Sequence, residues 1–299
     1  MATLKDIKTK IVAVQKTQKI TKAMNMVAAS KLRGAQEKME AFRPYAGKFA
    51  EVLGSLSDRM ETDEEHAPPL LVPRTEVKTV DLLLMTSDRG LCGSFNTNLI
   101  IKAEKFLKEK ADQGIEVRLV CMGRKGRDYF RRRKYNIRSD HLGIVGGRFG
   151  FNVAVNTGQQ LIDSFLNGET DEAYVIFSEF VSMARQVPTL KQLVPITGVE
   201  KVEQAGAEQV GYIAEHICEP SVEELMAEML PKHVYVQIFG GLLETSTSEH
   251  AARMAAMDNA TSNCAEMITS LTLVFNKARQ AAITAELMDI VGGAEALKG

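Results

Sequence analysis

Fifty consecutive residues, Leu242 to Val291, contain neither glycine nor proline. A helix over all of them would be on the order of 75 Å long at about 1.5 Å per residue. Globular helices average roughly 11–12 residues, so a helix of this length needs a partner beside it. The first forty residues of the chain also carry helical periodicity. Two end segments that pair, with the rest of the chain inserted between them, make a shaft with a separate domain. Such a layout transmits position or force and is not that of a chemical catalyst.

The first helix has a start signal in Thr3 and Asp6, the Thr-x-x-acid form of a capping box. From Leu4 a heptad seam runs Leu4, Ile7, Ile11, Val14, Gln18, Thr21, Asn25, Ala28, Leu32, Ala35. Apolar ends and a polar or small centre predict a coiled coil whose middle fixes register at some expense of stability. Ile20, Met24 and Val27 lie off this seam, so a second surface is expected to pack on the helix. Pro44 predicts a bend or an end near Arg43, followed by a further helix over Tyr45–Met60. The terminal helix carries its own predicted seam: Met257, Ala260, Cys264, Met267, Leu271, Val274, Ala278, Ala281, Ala285, Met288. Its many small residues allow close approach, and its partner is expected to be the first helix, antiparallel. Beyond about Ala285 the first helix should run out, leaving a single tip that ends in Gly292-Gly293.

Between the ends the period changes. Glu61, Asp63, Glu64 and Glu65, then Pro68, Pro69 and Pro73, predict a linker over 61–75. Strands are expected at Val77–Thr86, Val117–Met122, Ala173–Phe180 and, more weakly patterned, Gln192–Ile196. Helices are expected at Asn96–Lys110, Lys125–Arg133 and Asn152–Leu166. Alternating strands and helices predict a mostly parallel sheet with helical covers. Glu219-Pro220-Ser221 opens the return path through Val222–Leu230 and a step at Pro231. The expected organisation is 1–60 as the first long helix, 61–75 as linker, 76–219 as an α/β domain and 220–299 as the last long helix.

Composition narrows the function. Net charge is −1, aromatics make up 6%, and there is no Trp, which suits a helical coil. Cys92, Cys121, Cys218 and Cys264 show no C-x-x-C spacing, and His66, His141, His216, His233 and His250 show no metal spacing. No cofactor or metal is expected. No stretch approaches 18 uninterrupted apolar residues, so no membrane span is expected. Residues 1–36 carry eight Lys/Arg against Asp6 alone, as a transit peptide would. Lys dominates over Arg, however, and the helix continues without a break, so mature protein is expected.

Ser87-Asp88-Arg89-Gly90-Leu91-Cys92-Gly93-Ser94 lies between a strand and a helix, where phosphate loops sit. Its G-x-x-G spacing matches neither dinucleotide nor Walker loops, so a tight structural turn is expected. The sequence places no His or acid to activate Cys92 as a nucleophile, so an inert small residue is expected there. Arg124, Lys125, Arg127, Arg131, Arg132, Arg133 and Lys134 form a basic cluster: a solvated face, or a surface for anionic headgroups or an acidic partner. Nucleic acid fits less well, since few aromatics accompany it. The first 48 residues hold eleven Lys/Arg against three acids, or +8, so an acidic protein surface around the first helix is expected. Periodicity alone makes Arg279-Gln280 ordinary exposed polarity. Two other layouts remain open: a homodimeric coiled-coil tether with an α/β head, and an α/β enzyme using the Gly90–Gly93 loop.

The segments Ile11–Met24 (IVAVQKTQKITKAM), Met26–Lys31, Ser87–Gly93 (SDRGLCG), Ser248–Asn259 (SEHAARMAAMDN), Phe275–Ala281 and Ile283–Glu286 with Asp289 and Gly293-Ala294 resemble the γ subunit of F-type ATP synthases. The resemblance covers essentially the whole chain. No large insertion with a cysteine pair, as in the chloroplast branch, is seen, so the bacterial type is expected. The resemblance implies a fold of α/β plus a long antiparallel coiled coil, with a Rossmann-like domain between the paired helices. It implies a non-catalytic central-stalk rotor, one copy per complex, inside a hexamer of α and β subunits and joined to an ε subunit and a c-subunit ring. The active sites would lie on β. It places Lys19, Ile20, Lys22, Met24 and Val27 against the α/β ring, with Met24 and its basic neighbours Lys19 and Lys22 near an acidic β loop, and Arg279 and Gln280 at a polar catch on β. It implies a peripheral position on the cytoplasmic side of the cell inner membrane.

Overall fold

The computed structural model describes residues 3–57, 68–196 and 221–296. The chain divides into two compact units, Met1–Ala29 with Arg253–Gly299, and Ser30–Ala252. Helices α1 (Leu4–Ser57) and α5 (Val222–Ala296) contribute residues to both.

In the first unit α1 opens on a reciprocal cap. The Thr3 amide donates to Asp6 Oδ2 at 3.0 Å, and the Asp6 amide donates to Thr3 Oγ1 at 3.3 Å. These satisfy two of the amides a helix start leaves without partners. All expected seam positions from Leu4 to Ala28 are buried or half-buried, while every other residue from Lys5 to Val27 except Met24 is exposed. The partner is α5. Asn25 Nδ2 donates to the Met254 carbonyl at 3.0 Å, and the Thr21 and Thr261 hydroxyls lie 2.8 Å apart. Advancing along α1 means retreating along α5, so the pair is antiparallel, as expected.

On α5 half of the expected seam is displaced by one residue. Met257, Cys264, Leu271 and Ala278 lie on it, but the alternating positions are Thr261, Ile268, Phe275 and Ala282. Met267 and Val274 are 53% and 50% exposed. Each disputed pair of neighbours (Met267/Ile268, Val274/Phe275, Ala281/Ala282) offers an apolar residue to either register. The register that buries Ile and Phe removes more apolar surface from water than the one that buries Met and Val. Ala285 and Met288, also expected on the seam, are exposed.

The second unit holds a five-stranded sheet ordered β3-β2-β1-β4-β5. Its strands are β1 (Thr79–Met85), β2 (Glu116–Met122), β3 (Ile137–His141), β4 (Glu172–Phe180) and β5 (Gln186–Val194). The first four pair in parallel and β5 is antiparallel to β4. Alternation along β1 and β2 divides the core in two. Val80, Leu82, Leu84, Leu119 and Cys121 pack under α2 (Phe95–Asp112) and α3 (Arg124–Arg132). Leu83, Met85, Val120 and Met122 pack under α4 (Phe151–Leu166) and the flanking parts of α1 and α5. A parallel sheet covered on both faces gives the near-continuous apolar run of β1.

Three expectations are corrected. Pro44 does not end the first helix: α1 runs through it to Ser57. The seam spacing continues past it as Met39, Phe42, Ala46, Phe49, Leu53 and Leu56, and Pro44 sits exposed off that line. Water can therefore take the Glu40 carbonyl that Pro44 cannot bond. Pro231 likewise lies inside α5, where Met226, Leu230, Val234 and Ile238, all at most 1% exposed, hold the helix together on either side. Third, β3 was not anticipated. Its sequence, Ile-Arg-Ser-Asp-His, is too polar to stand out, and it forms an edge strand. The acidic stretch 61–65, residues 58–60 of the expected second helix, Cys218, His66 and His216 lie outside the described residues.

Candidate functional site

Among the described residues, the two places where an α/β fold ordinarily holds a ligand are both filled by the chain itself. In an open parallel sheet ligands bind beyond the carboxyl ends of the strands where the order reverses, which is between β1 and β4. Here α5 occupies that crevice. A Cβ on Gly241 would meet the Phe177 ring at 3.3 Å and Met85 Sδ at 3.5 Å. The Ser178 amide donates to Thr245 Oγ1 at 3.2 Å, and Ser248 Oγ donates to the Ser178 carbonyl at 3.1 Å. Thr245 through His250 are all buried. The resemblance-bearing Ser248-Glu249-His250 is therefore the polar side of a helix seat.

The Ser87–Ser94 loop is the second place. Ser87 Oγ donates to the Arg89 carbonyl at 2.5 Å, the Ser87 amide donates to Asn96 Oδ1 at 2.9 Å, and Asn96 Nδ2 reaches Cys92 Sγ at 3.1 Å. Leu91 and Gly93 take φ of 64° and 58°, the left-handed conformation that turns the chain. The first amides of α3 are taken as well, by Asp88 Oδ1, the Ser87 carbonyl and Thr86 Oγ1. A phosphate at this helix start would have to displace all three. The loop is a turn that caps a helix. Burial pushes the Cys121 thiol up to about 12, far from a nucleophile's range. Among the described residues no His, Cys, Asp and Glu group has metal-site geometry.

What remains is surface. Ile20 and Val27 are 60% and 58% exposed on α1, with Lys19 and Lys22 exposed beside them and Met24 half-buried. Met26, at 60%, belongs to the same outer face and was not among the apolar residues that the sequence singled out off the seam. Lys19, Lys22, Asn25 and Met26 also border a groove with Asp258 and Thr261 of α5. Arg279 and Gln280 are exposed on α5 beside half-buried Ala278. The Thr21–Thr261 register places Arg279 level with the start of α1, about 30 Å along the pair from Met24. The structure therefore brings the first five candidates together and sets Arg279 and Gln280 apart from them. Beyond Ala282 the helix has no buried face among the described residues: Ile283, Leu287, Met288, Ile290 and Val291 are 48–72% exposed. Scattered exposed apolar residues are ordinary, but contiguous ones mark contact with a partner.

These features define a class: a helical-hairpin protein with an α/β unit, whose crevice between β1 and β4 is closed and whose α1–α5 pair carries exposed apolar residues. A family model described as ATP synthase matches residues 3–297. The chain is 59% identical over 301 residues, spanning 100% of both chains, to the ATP synthase gamma chain of Desulfosudis oleivorans. It is 56% identical to the protein of that name from Desulforapulum autotrophicum, covering 99% of this chain and 100% of the other. The chain belongs to the ATP synthase gamma-chain family. Its fold is similar to a chain of the Euglena gracilis mitochondrial ATP synthase (TM-score 0.65, 18% identity, 98% of this chain and 94% of that one). It is also similar to one in the central stalk and c-ring assembly of the Tetrahymena thermophila enzyme (TM-score 0.58, 24% identity, 81% and 99%).

Proposed function

We propose that this chain is the central-stalk rotor of a bacterial F-type ATP synthase. One copy sits inside the α and β hexamer and joins the ε subunit and the c-subunit ring. The observation that carries the reading is the antiparallel pair itself, with its basic and apolar outer face and its exposed apolar tip. An asymmetric shaft makes different contacts with three otherwise equivalent β subunits. A site is shifted in affinity only by as much as its contact differs between states, and each 1.4 kcal/mol of difference is about tenfold. Turning the shaft exchanges the three environments, and bond formation stays on β.

In this reading Lys19, Ile20, Lys22, Met24 and Val27 meet the ring, Met24 with Lys19 and Lys22 near an acidic β loop, and Arg279 with Gln280 forms a polar catch. The assembly is peripheral on the cytoplasmic side of the cell inner membrane. Among the described residues no helix is long and apolar enough to cross a membrane, so attachment would run through partner subunits. The organisation 1–60, 61–75, 76–219 and 220–299 is proposed as the functional division into shaft, linker, α/β domain and shaft.

The test is the Arg279→Ala variant in the assembled complex, with ATP-driven proton pumping in inverted vesicles measured against ATP hydrolysis. Pumping per ATP hydrolysed should fall while the subunit composition stays intact. Unchanged pumping would remove the assigned catch.

A further inference from the structure

In the second unit a cleft of about 730 Å³ opens beside α1, α5 and the turn between β3 and α4. Its floor is aromatic. Phe239 stands edge-on to Phe42 at 4.9 Å and to Phe149 at 6.0 Å between ring centroids. Its rim is cationic: Lys31 and Lys38 from α1, and Arg148 from the turn. Among the described residues no carboxylate lines it. Lys38 and Arg148 have no hydrogen bond or ion pair among the described residues, and Lys31 reaches only the Gly146 carbonyl, at 3.5 Å.

The turn that carries Arg148 is built to hold its place. Gly143 and Gly146 take φ of 78° and 79°, and the Gly147 amide donates to the Ile144 carbonyl at 3.0 Å. A Cβ on Gly147 would lie 2.5 Å from the Gly143 carbonyl oxygen, so only glycine fits there. Val145 is 3% exposed in the core, and a Cβ on Gly146 would lie 3.2 Å from the carboxylate of buried Glu249. An arginine on so constrained a turn is positioned before any ligand arrives. Lys31 and Lys38 are seven residues apart on one helix, so their stems start about 10.5 Å apart. Positive charge is thus spread along the cleft and is not gathered at one point, which suits a line of carboxylates better than a single headgroup.

We propose that this cleft receives an acidic amphipathic segment of a partner polypeptide. The segment sets a large apolar side chain on the phenylalanine floor and carboxylates along the Lys31, Lys38 and Arg148 rim. The inference narrows the acidic surface expected around the first helix to one cleft; it uses none of the residues assigned to the ring contact or the polar catch, so its failure would leave the rotor reading standing.

The test is fluorescence polarisation with the full-length chain. The probe is a labelled 14-residue helical peptide carrying Glu at i and i+7 with Phe and Leu on the same face between them. Controls are its Gln counterpart and dodecyl phosphate, a single-headed amphiphile. Saturable binding of the Glu peptide is expected, weakened at least tenfold in the Gln peptide and at least tenfold by Lys38→Glu with Arg148→Glu. Both substitutions are on the solvent-facing rim, and the neutral Lys38→Gln should give a smaller loss in the same direction. Equal binding of the Gln peptide, equal binding by the charge-reversed chain, no saturable binding, or dodecyl phosphate binding as tightly as the Glu peptide would each overturn the proposal.

Discussion

Thr21 and Thr261 meet hydroxyl to hydroxyl, 2.8 Å apart, in the seam between α1 and α5. Each hydroxyl also lies within bonding distance of a carbonyl on its own helix, Gln18 at 3.0 Å and Met257 at 2.7 Å. With one proton apiece, one hydroxyl can bond back to its helix while the other donates across. A polar pair at this level, together with Asn25 on the Met254 carbonyl, discriminates against slipped registers at some loss of stability.

Replacing one member should therefore hurt more than replacing both. Thr21→Val alone should cost about 1 kcal/mol, while Thr21→Val with Thr261→Val should be nearly neutral or stabilising. A double-mutant cycle on thermal or urea unfolding reads the coupling. Simple additivity of the two substitutions would mean that the hydroxyls do not act as a pair.

The register of α5 has its own test. Phe275→Ala should destabilise by roughly 1–2 kcal/mol, below the ~3–5 kcal/mol of a fully buried Phe because this side chain is only half-buried. Val274→Ala, one residue away on the exposed side, should stay within about 0.5 kcal/mol of wild type. The reverse ranking in a urea melt would restore the register that the sequence alone suggested.

How much could be foreseen follows from how each residue pair breaks symmetry. The α1 seam was legible because Leu4, Ile7, Ile11 and Val14 recur at heptad spacing with mostly polar residues between them, so one face of the helix start was marked to turn inward. On α5 the faces were ambiguous, since Met267/Ile268 and Val274/Phe275 satisfy either spacing and only tertiary packing chooses. The α/β alternation was readable from apolar runs such as Leu82-Leu83-Leu84-Met85, whereas β3, with Arg138 and Asp140 on an edge, carried no such signal. The prolines misled because local propensity was outweighed by buried neighbours. Ile20, Met24 and Val27, proposed to meet the ring, were visible as apolar residues off the seam. The proposed catch at Arg279 was not, as an exposed arginine on a helix carries no periodic signature of a partner contact.

Asp81 was also invisible, being one acid inside an apolar strand. It is fully buried, with Oδ1 2.9 Å from Arg118 Nε and Oδ2 2.9 Å from Arg138 Nη1, and the Thr170 hydroxyl donates to Oδ2 at 2.7 Å. It ties β1 to β2, to β3 and to the turn before β4. Asp81→Ala leaves two arginines, 19% and 31% exposed, facing a cavity, and should cost roughly 3 kcal/mol, the low end for a broken buried pair. Loss of less than about 1 kcal/mol in calorimetry, the range of an exposed ion pair, would show the network to be incidental.

Glu244 makes stability depend on pH. Burial beside the β4–β5 hairpin holds its carboxyl above the ordinary 4.5; Glu179 pushes the same way, while the Phe180 amide, Arg43 and Lys191 oppose it. A raised carboxyl favours the protonated folded state. Its contribution is therefore fully present below about pH 4.5 and is lost as pH rises through the higher folded value. The Glu244→Gln variant keeps the neutral form throughout, so its melting temperature should gain on wild type between about pH 4 and pH 7. A constant difference across that window would mean that Glu244 titrates as if exposed.

The central claim, that the two ends of one chain wind antiparallel in the Thr21–Thr261 register, is tested most directly by disulfide trapping. The variant carries Thr21→Cys and Thr261→Cys with Cys264→Ser, and it is oxidised within the assembled complex. The expected result is a disulfide joining positions 21 and 261 of a single chain, seen by peptide mapping on material that runs as a monomer without reductant. A link between two chains would support a dimeric tether, and no link at all would mean that the helices do not meet where Thr21 and Thr261 are placed.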